Sequence, residues 1–323
     1  MTGFGPGHLL AAWLLDAAFG DPAWIPWPHP VVAIGRAISR LEAKLYAADG
    51  ALWRGAALWA AVVVSAFGAA WGLWRLAHWV HPALGGAVGV YLAYACLATR
   101  ALAQEAREVG RLVRRGRIEA ARRWLGRIVG RDTAALPPPQ ILRAAVETVA
   151  ENASDGVVAP LFYLALGAAF GCGPALAVAY KAVNTLDSMV GYRNPRYERF
   201  GRVSARADDV ANWIPARLTA VLAALGAEIL WGRGRRALRV AWRDGRLHKS
   251  PNAGFPEAAF AAALGVELGG PARYGGVLRA SPRLGDPGPL PGPEHLDRGL
   301  RLLWVVSALA ATGGAASLLL VSP

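Results

Sequence analysis

The chain has 323 residues and a formal net charge of +13. Hydrophobic residues make up 54% of it and charged residues only 18%, which argues against an ordinary soluble globule. The apolar residues come in blocks, and crossing a bilayer core takes about 20 of them in a row, so the pattern predicts an all-α, polytopic integral membrane protein.

The opening "MTGFGPGHLLAAWLLDAAFGDP" lacks a basic n-region and carries Asp16 inside its short apolar run, so it is expected to stay in the mature protein rather than be cleaved as a signal. It leads into "GDPAWIPWPHP", where prolines force a fixed extended loop and His29 is a candidate substrate-binding residue. Apolar blocks at 51–74 and 83–98 follow as candidate spans. Several of the 13 tryptophans, including Trp53, Trp74, Trp79, Trp213 and Trp231, stand where spans would end, the level that indole prefers.

From Arg100 to Arg131 there are 10 arginines against three glutamates, with apolar residues at helical spacing. This basic amphipathic region (about 100–131) and a second basic run, Arg233 to Lys249, fit the positive-inside bias and attraction to anionic membrane lipid. Nucleic acid is therefore not expected as a partner. Taken literally, the bias keeps the basic loops on one side, so block 157–180 would return to the face it entered, broken into a re-entrant hairpin at "AFGCGPA". The two cysteines, Cys96 and Cys172, lie in apolar segments and are expected as buried free thiols.

Polar residues interrupt this background in few places. In "ETVAENASDGVV", Glu147, Glu151 and Asp155 are spaced i, i+4, i+8 and share one face of a continuing helix, while Asn152 and Ser154 could cap a helix starting after Gly156. Carboxylates on one face are a usual way to hold Mg²⁺ beside substrate phosphates. In "YKAVNTLDSMVGYRNPRYERFG", Lys181, Asn184 and Asp187 or Ser188 fall on one helical face. Only three of the 35 cations are lysines, and a compact ammonium in that setting suits phosphate.

"RVSARADDVANWIPARL" puts Asp208, Asp209 and Asn212 at the start of another apolar segment, 214–231, with Arg206 upstream and Arg217 inside; ionisable groups at membrane depth are functional candidates. "HKSPNAGFPEAAF" offers Ser250 and Asn252 before a helix start at Pro256–Glu257. The Pro/Gly-rich stretch at about 281–299 is expected as a surface loop before the last span, 302–321. There is no P-loop, Rossmann fingerprint or H-E-x-x-H string; any nucleotide would be held in another way.

The strings "GDPAWIPWPHPVVAIG", "VAENASDGVVAPLFY", "YKAVNTLDSMVGYRNPRYERFG", "SARADDVANWIPARL" and "SPNAGFPEAAFAAALG", in this order and spacing, resemble the CobD/CbiB family of cobalamin-biosynthesis membrane proteins. The resemblance covers nearly the whole chain as a single membrane domain, 1–323. Ala153 and Ala207 replace an expected threonine and leucine and remove no charged group. It implies an ATP-dependent amide synthetase of the bacterial cytoplasmic membrane. Such an enzyme joins aminopropanol phosphate to a propionate carboxylate of the corrinoid adenosylcobyric acid, beside other late enzymes of the pathway.

On that resemblance Glu147, Glu151, Asp155, Asp187, Asp208 and Asp209 include the Mg²⁺ ligands and the base. Lys181 and Arg206, with Arg193 or Arg217, neutralise phosphates of ATP and substrate, and Asn152, Asn184, Asn212 and Asn252 orient bound groups. A membrane corrinoid transporter, or a non-catalytic scaffold of the same fold, is the alternative that broken helices and intramembrane carboxylates would also suit.

Overall fold

A computed structural model of the chain describes residues 3–21, 29–47, 51–192 and 194–321. In chain order the helices are α1 Pro6–Phe19, α2 Pro30–Leu45, α3 Leu52–Val80, α4 Pro82–Tyr94, α5 Thr99–Arg114, α6 Ile118–Leu125 and α7 Pro138–Ala153. A π-helical turn, Ser154–Val158, leads into α8 Ala159–Ala169, followed by α9 Pro174–Val190, α10 Arg202–Ala211, α11 Trp213–Trp231, α12 Gly234–Asp244, α13 Gly254–Leu264 and, at the end, α14 Pro293–Val321. Six of these helices begin on proline, whose fixed φ suits the first helical position and whose missing N–H costs nothing there. Short strands β1 Leu268–Gly269, β2 Ala272–Tyr274, β3 Val277–Arg279 and β4 Arg283–Leu284 pair antiparallel as β1–β4 and β2–β3.

Among the described residues, four helical stretches are long and apolar enough to cross a membrane: Leu52–Val80, Pro82–Arg114, Trp213–Trp231 and Pro293–Leu320. The second is broken at 95–98 into α4 and α5. The protein is thus an all-α membrane protein with a few short strands. Block 157–180 is no single span. Its α8 is 11 residues long, about 16 Å, too short for a hydrocarbon core of about 30 Å, and α8 folds back against α9 through 170–173.

Three expectations change. Trp53 and Trp79 lie exposed at the two ends of α3, but Trp74 is buried at 2% exposure, because α3 runs on to Val80 and leaves that residue inside the packing rather than at a span end. The Pro/Gly-rich loop stops at 292, since Pro293 starts α14. Cys96 is buried, but Cys172 only half so.

The chain divides into two compact units, each made of separated segments. One comprises 1–98, 159–212 and 311–323, the other 99–158 and 213–310. In the first, α9 packs against α2, α3, α4, α8 and α10. In the second, α13 packs against α7, α11 and α12, and all of its residues from Gly254 to Leu264 are buried, as befits a helix that is apolar nearly all round. The lone carboxylate of that helix is Glu257.

Candidate functional site

Each unit holds one polar group of its own. In the first, the side chains come from α8, α9 and α10. Asn184 on α9 donates from Nδ2 to Asp208 Oδ1 at 3.2 Å, and Asn212, just past α10, donates to the same oxygen at 3.0 Å. The Tyr180 hydroxyl donates to Asn212 Oδ1 at 2.8 Å, which fixes the orientation of that amide. Tyr163 on α8 stacks on Tyr180 with ring centroids 4.9 Å apart and donates to the Ala211 carbonyl.

Burial raises the Asp208 carboxyl above the ordinary aspartate range; the two amide hydrogen bonds oppose this, the neighbouring Asp209 charge adds to it, and the Lys181 charge pulls it back. An acid shifted upward by burial and opposed by a nearby cation is a common arrangement for proton transfer. Asp187, one turn along α9, sits against Gly191, where a methyl group would collide with its Oδ1; glycine is required there by close approach. Arg206 is exposed on α10. His29 stands just before α2, as its N-cap, with its Nε2 3.4 Å from Asp21 Oδ1. Arg193 lies outside the described residues.

In the second unit the group centres on Glu147. This side chain is 2% exposed, and its Oε1 accepts from the Gly269 backbone N–H at 2.7 Å. Arg131 Nη1 lies 2.5 Å from its Oε2, and Arg143 Nε 3.7 Å from its Oε1. The Arg131 segment is held from the next residue. Asp132 accepts from the N–H groups of Gly275 and Gly276 at 3.1 and 2.7 Å, the two positive-φ residues that make the tight β2–β3 turn.

Glu257 is buried within α13, and its pKa is driven well above the ordinary glutamate value by burial first and then by the negative charges of Glu147 and Glu151, with Arg131 opposing. Burial also lowers the His248 imidazole, whose Nδ1 accepts from the Ser250 N–H at 3.1 Å; the ring proton of the neutral form is thereby left to Nε2.

The remaining expected residues of this unit lie on α7, the π turn, α11 and the entry to α13. Glu151 is exposed on α7, Asp155 is half-buried in the π turn, and Asn152 donates to the Thr148 carbonyl at 3.0 Å. Asn152 and Ser154 do not cap a new helix, because helical structure runs without interruption from α7 through the π turn into α8. Ser154 is 2% exposed. Arg217 on α11 lies between the rings of Trp213 and Phe255, 4.2 and 4.3 Å from their centroids, and reaches Asn252 Oδ1 at 3.4 Å. Ser250 Oγ accepts from the N–H groups of Asn252 and Ala253 and so satisfies amides at the entry to α13.

Sequence reasoning passes over Glu257, Arg131, Arg143, His248, Tyr163 and Tyr180. Glu257 stands in the first turn of a helix, where an acid is ordinary, and Arg131 is one of many arginines in a basic run. Only Tyr180 carries a signal, directly preceding Lys181.

Among the described residues, no three His, Cys, Asp or Glu side chains stand together as a metal cage. Glu147 is a poor fit for a metal because both its oxygens are engaged by cations and a backbone N–H. Mg²⁺ commonly takes one or two carboxylates and completes its shell with water and substrate phosphate, so holding it does not require a cage.

Membrane-length helices together with two groups of half-buried and buried acids, amides and cations define a polytopic membrane protein with polar chemistry inside its helical units. The family model for CobD/CbiB proteins matches residues 9–303, and the chain belongs to that family. It is 53% identical over 281 residues (86% of each chain) to cobalamin biosynthesis protein CobD of Geobacter metallireducens. It is 48% identical over 303 residues (93% of each chain) both to cobalamin biosynthesis protein CobD of Klebsiella pneumoniae and to cobalamin biosynthesis protein CbiB of Salmonella typhimurium. No solved structure matches the chain.

Proposed function

We propose that the protein is an ATP-dependent amide synthetase of cobalamin biosynthesis in the bacterial cytoplasmic membrane, joining aminopropanol phosphate to a propionate carboxylate of adenosylcobyric acid. A carboxylate does not react with an amine until it is activated. Transfer of the ATP γ-phosphoryl group to the propionate oxygen gives an acyl phosphate and ADP. The amine nitrogen then forms the amide bond as the carbon–oxygen bond to phosphate breaks, and the proton lost from the ammonium goes to a protein base.

The observation that best supports this reading is the Asp208 carboxyl, half-buried and raised, with Oδ1 held by two amides and the Lys181 charge acting on it. That arrangement suits Oδ2 for taking the ammonium proton. Lys181, a compact cation, suits a phosphate, and Asn184 and Asn212 keep the base oriented. Asp209, next in the chain to Asp208, is the residue assigned to Mg²⁺, which when bound would supply charge neutralisation at phosphate. Glu147 serves instead as the anchor of the Arg131 segment.

Purified full-length protein in detergent is expected to release ADP only when corrinoid, amine, ATP and Mg²⁺ are all present, and to stop when Mg²⁺ is chelated. Corrinoid movement across vesicles without ATP turnover would replace this reading with transport.

A further inference from the structure

In the first unit a groove of about 350 Å³ lies between α2 and α3. Ala33 and Ala37 of α2 and Ala66 and Ala69 of α3 form its walls, with Leu92 and Val178 beneath. The one hydroxyl along it, Ser65, already donates to the Val62 carbonyl of its own helix at 3.1 Å, so no polar group in the groove calls for a polar ligand. That excludes an amide-rimmed corrinoid and points to hydrocarbon.

Two further features identify which hydrocarbon. The groove runs along α3, a 29-residue helix whose most apolar 18-residue window has a mean hydropathy of 1.8 and is only 17% buried; the medium facing such a helix is lipid. The α3 residues lining it extend from Val62 to Leu73, about 17 Å of helix, a length that takes a large part of an extended acyl chain.

The second feature is charge. Exposed Arg36, Arg40 and Lys44 lie at i, i+4 and i+8 on α2, forming a stripe that starts beside Ala33 and Ala37 and continues beyond the end of the groove. The only acid on α2, Glu42, is taken by Arg196 Nη2 at 2.9 Å and the Tyr197 hydroxyl at 2.7 Å. Among the described residues none of the three cations is in an ion pair. An apolar slot on a membrane helix with a row of unneutralised cations at one end matches a molecule with a hydrocarbon tail and an anionic head.

We propose that the α2–α3 groove is a binding site for an anionic phospholipid, one acyl chain lying between Ala33, Ala37, Ala66 and Ala69 and the phosphate meeting Arg36, Arg40 and Lys44.

Native mass spectrometry of the full-length protein in detergent tests this, with palmitoyl-oleoyl phosphatidylglycerol titrated against the phosphatidylcholine of the same chains. The wild type is expected to hold one phosphatidylglycerol in preference to phosphatidylcholine. Replacing all three exposed cations (Arg36→Gln, Arg40→Gln, Lys44→Gln) is expected to remove that preference, a loss on the order of 100-fold from the usual strength of a basic side chain at an anionic surface.

Ala69→Leu fills the groove from an exposed position and is expected to cut retention of both lipids about ten-fold, the loss of roughly two buried methylenes. Equal binding of the two lipids by the wild type, or unchanged retention by Ala69→Leu, overturns the site. A wild-type dimer that Ala69→Leu converts to monomer assigns the groove to a second copy and overturns it equally.

Discussion

Glu147→Ala tests whether the buried charge group of the second unit is a closed network. The substitution strips Arg131 and Arg143, whose side chains are only 17% and 11% exposed, of the carboxylate between them, and leaves the Gly269 amide without its acceptor. Breaking a buried pair from one side costs about 3–5 kcal/mol, because the remaining charge is left uncompensated. Glu257 offsets part of this. The Glu147 charge is the largest electrostatic contribution holding its pKa up, so removing Glu147 lets Glu257 ionise more readily and supply negative charge nearby.

Thermal unfolding of the detergent-solubilised protein should therefore show a midpoint lowered by roughly 10 °C. Glu147→Gln keeps an acceptor for Gly269 and should fall between the wild type and Glu147→Ala. Replacing Glu147 and Arg131 together by leucine should cost less than Glu147→Ala alone, since an apolar pair asks for no compensation. A midpoint for Glu147→Ala within about 1 °C of wild type would mean that water already reaches these groups, and the reasoning would be wrong.

Other predictions follow from the same geometry. Asp209→Asn should abolish amide formation while leaving the melting curve in place; normal turnover at ordinary Mg²⁺ removes Asp209 from the site. Lys181→Arg should raise the ATP concentration needed for half-maximal ADP release, because a planar fork does not replace a compact ammonium, and unchanged ATP dependence would return Lys181 to a packing role. The raised pKa of Glu257 means that the folded state holds its proton more tightly than the unfolded state. That contribution to stability is complete below the ordinary glutamate value and is lost as pH rises through the folded value, so Glu257→Gln should flatten the fall in melting temperature with rising pH. His248 acts oppositely: lowered by burial, it contributes stability above the ordinary histidine value that is lost as pH falls through the depressed one. For sidedness, single cysteines at exposed Arg123, Arg202 and Arg246, in a chain lacking Cys96 and Cys172, should all resist a membrane-impermeant thiol reagent in intact cells; labelling at Arg202 alone would place the α9–α10 loop outside.

Much of this was legible in the chain because the medium makes polar residues conspicuous. Asp208, Asn184 and Asn212 stand out against apolar neighbours as members of two separate polar strings, but that the α9 string meets the α10 string at Asp208 comes from the packing. The hairpin at 169–175 was legible for a similar reason: glycines and a proline inside an apolar block leave no continuous helix long enough to cross. Glu257 was hidden because its local sequence is that of any helix start; its significance comes from burial by α7, α11 and α12, which are distant in the chain.

The π turn is the feature that periodicity could not supply. Glu147 and Glu151 are one α-helical turn apart and project from neighbouring positions on α7, yet only Glu147 is buried. At Ser154–Val158 the chain changes to i→i+5 bonding, which puts more residues in the turn and rotates everything after it relative to a 3.6-residue repeat. Asp155 lies inside that turn, so its alignment with Glu147 and Glu151, inferred from i, i+4, i+8, does not carry through at the third position. Ala153, Ser154, Gly156 and Val157 are all buried around it. An irregular turn packed on so many sides is held by its surroundings rather than by its own sequence, and that explains why a strand of small residues, "NASDGVV", gave no local warning of it. Such turns recur at functional sites, and the carboxylate that this one carries is Asp155.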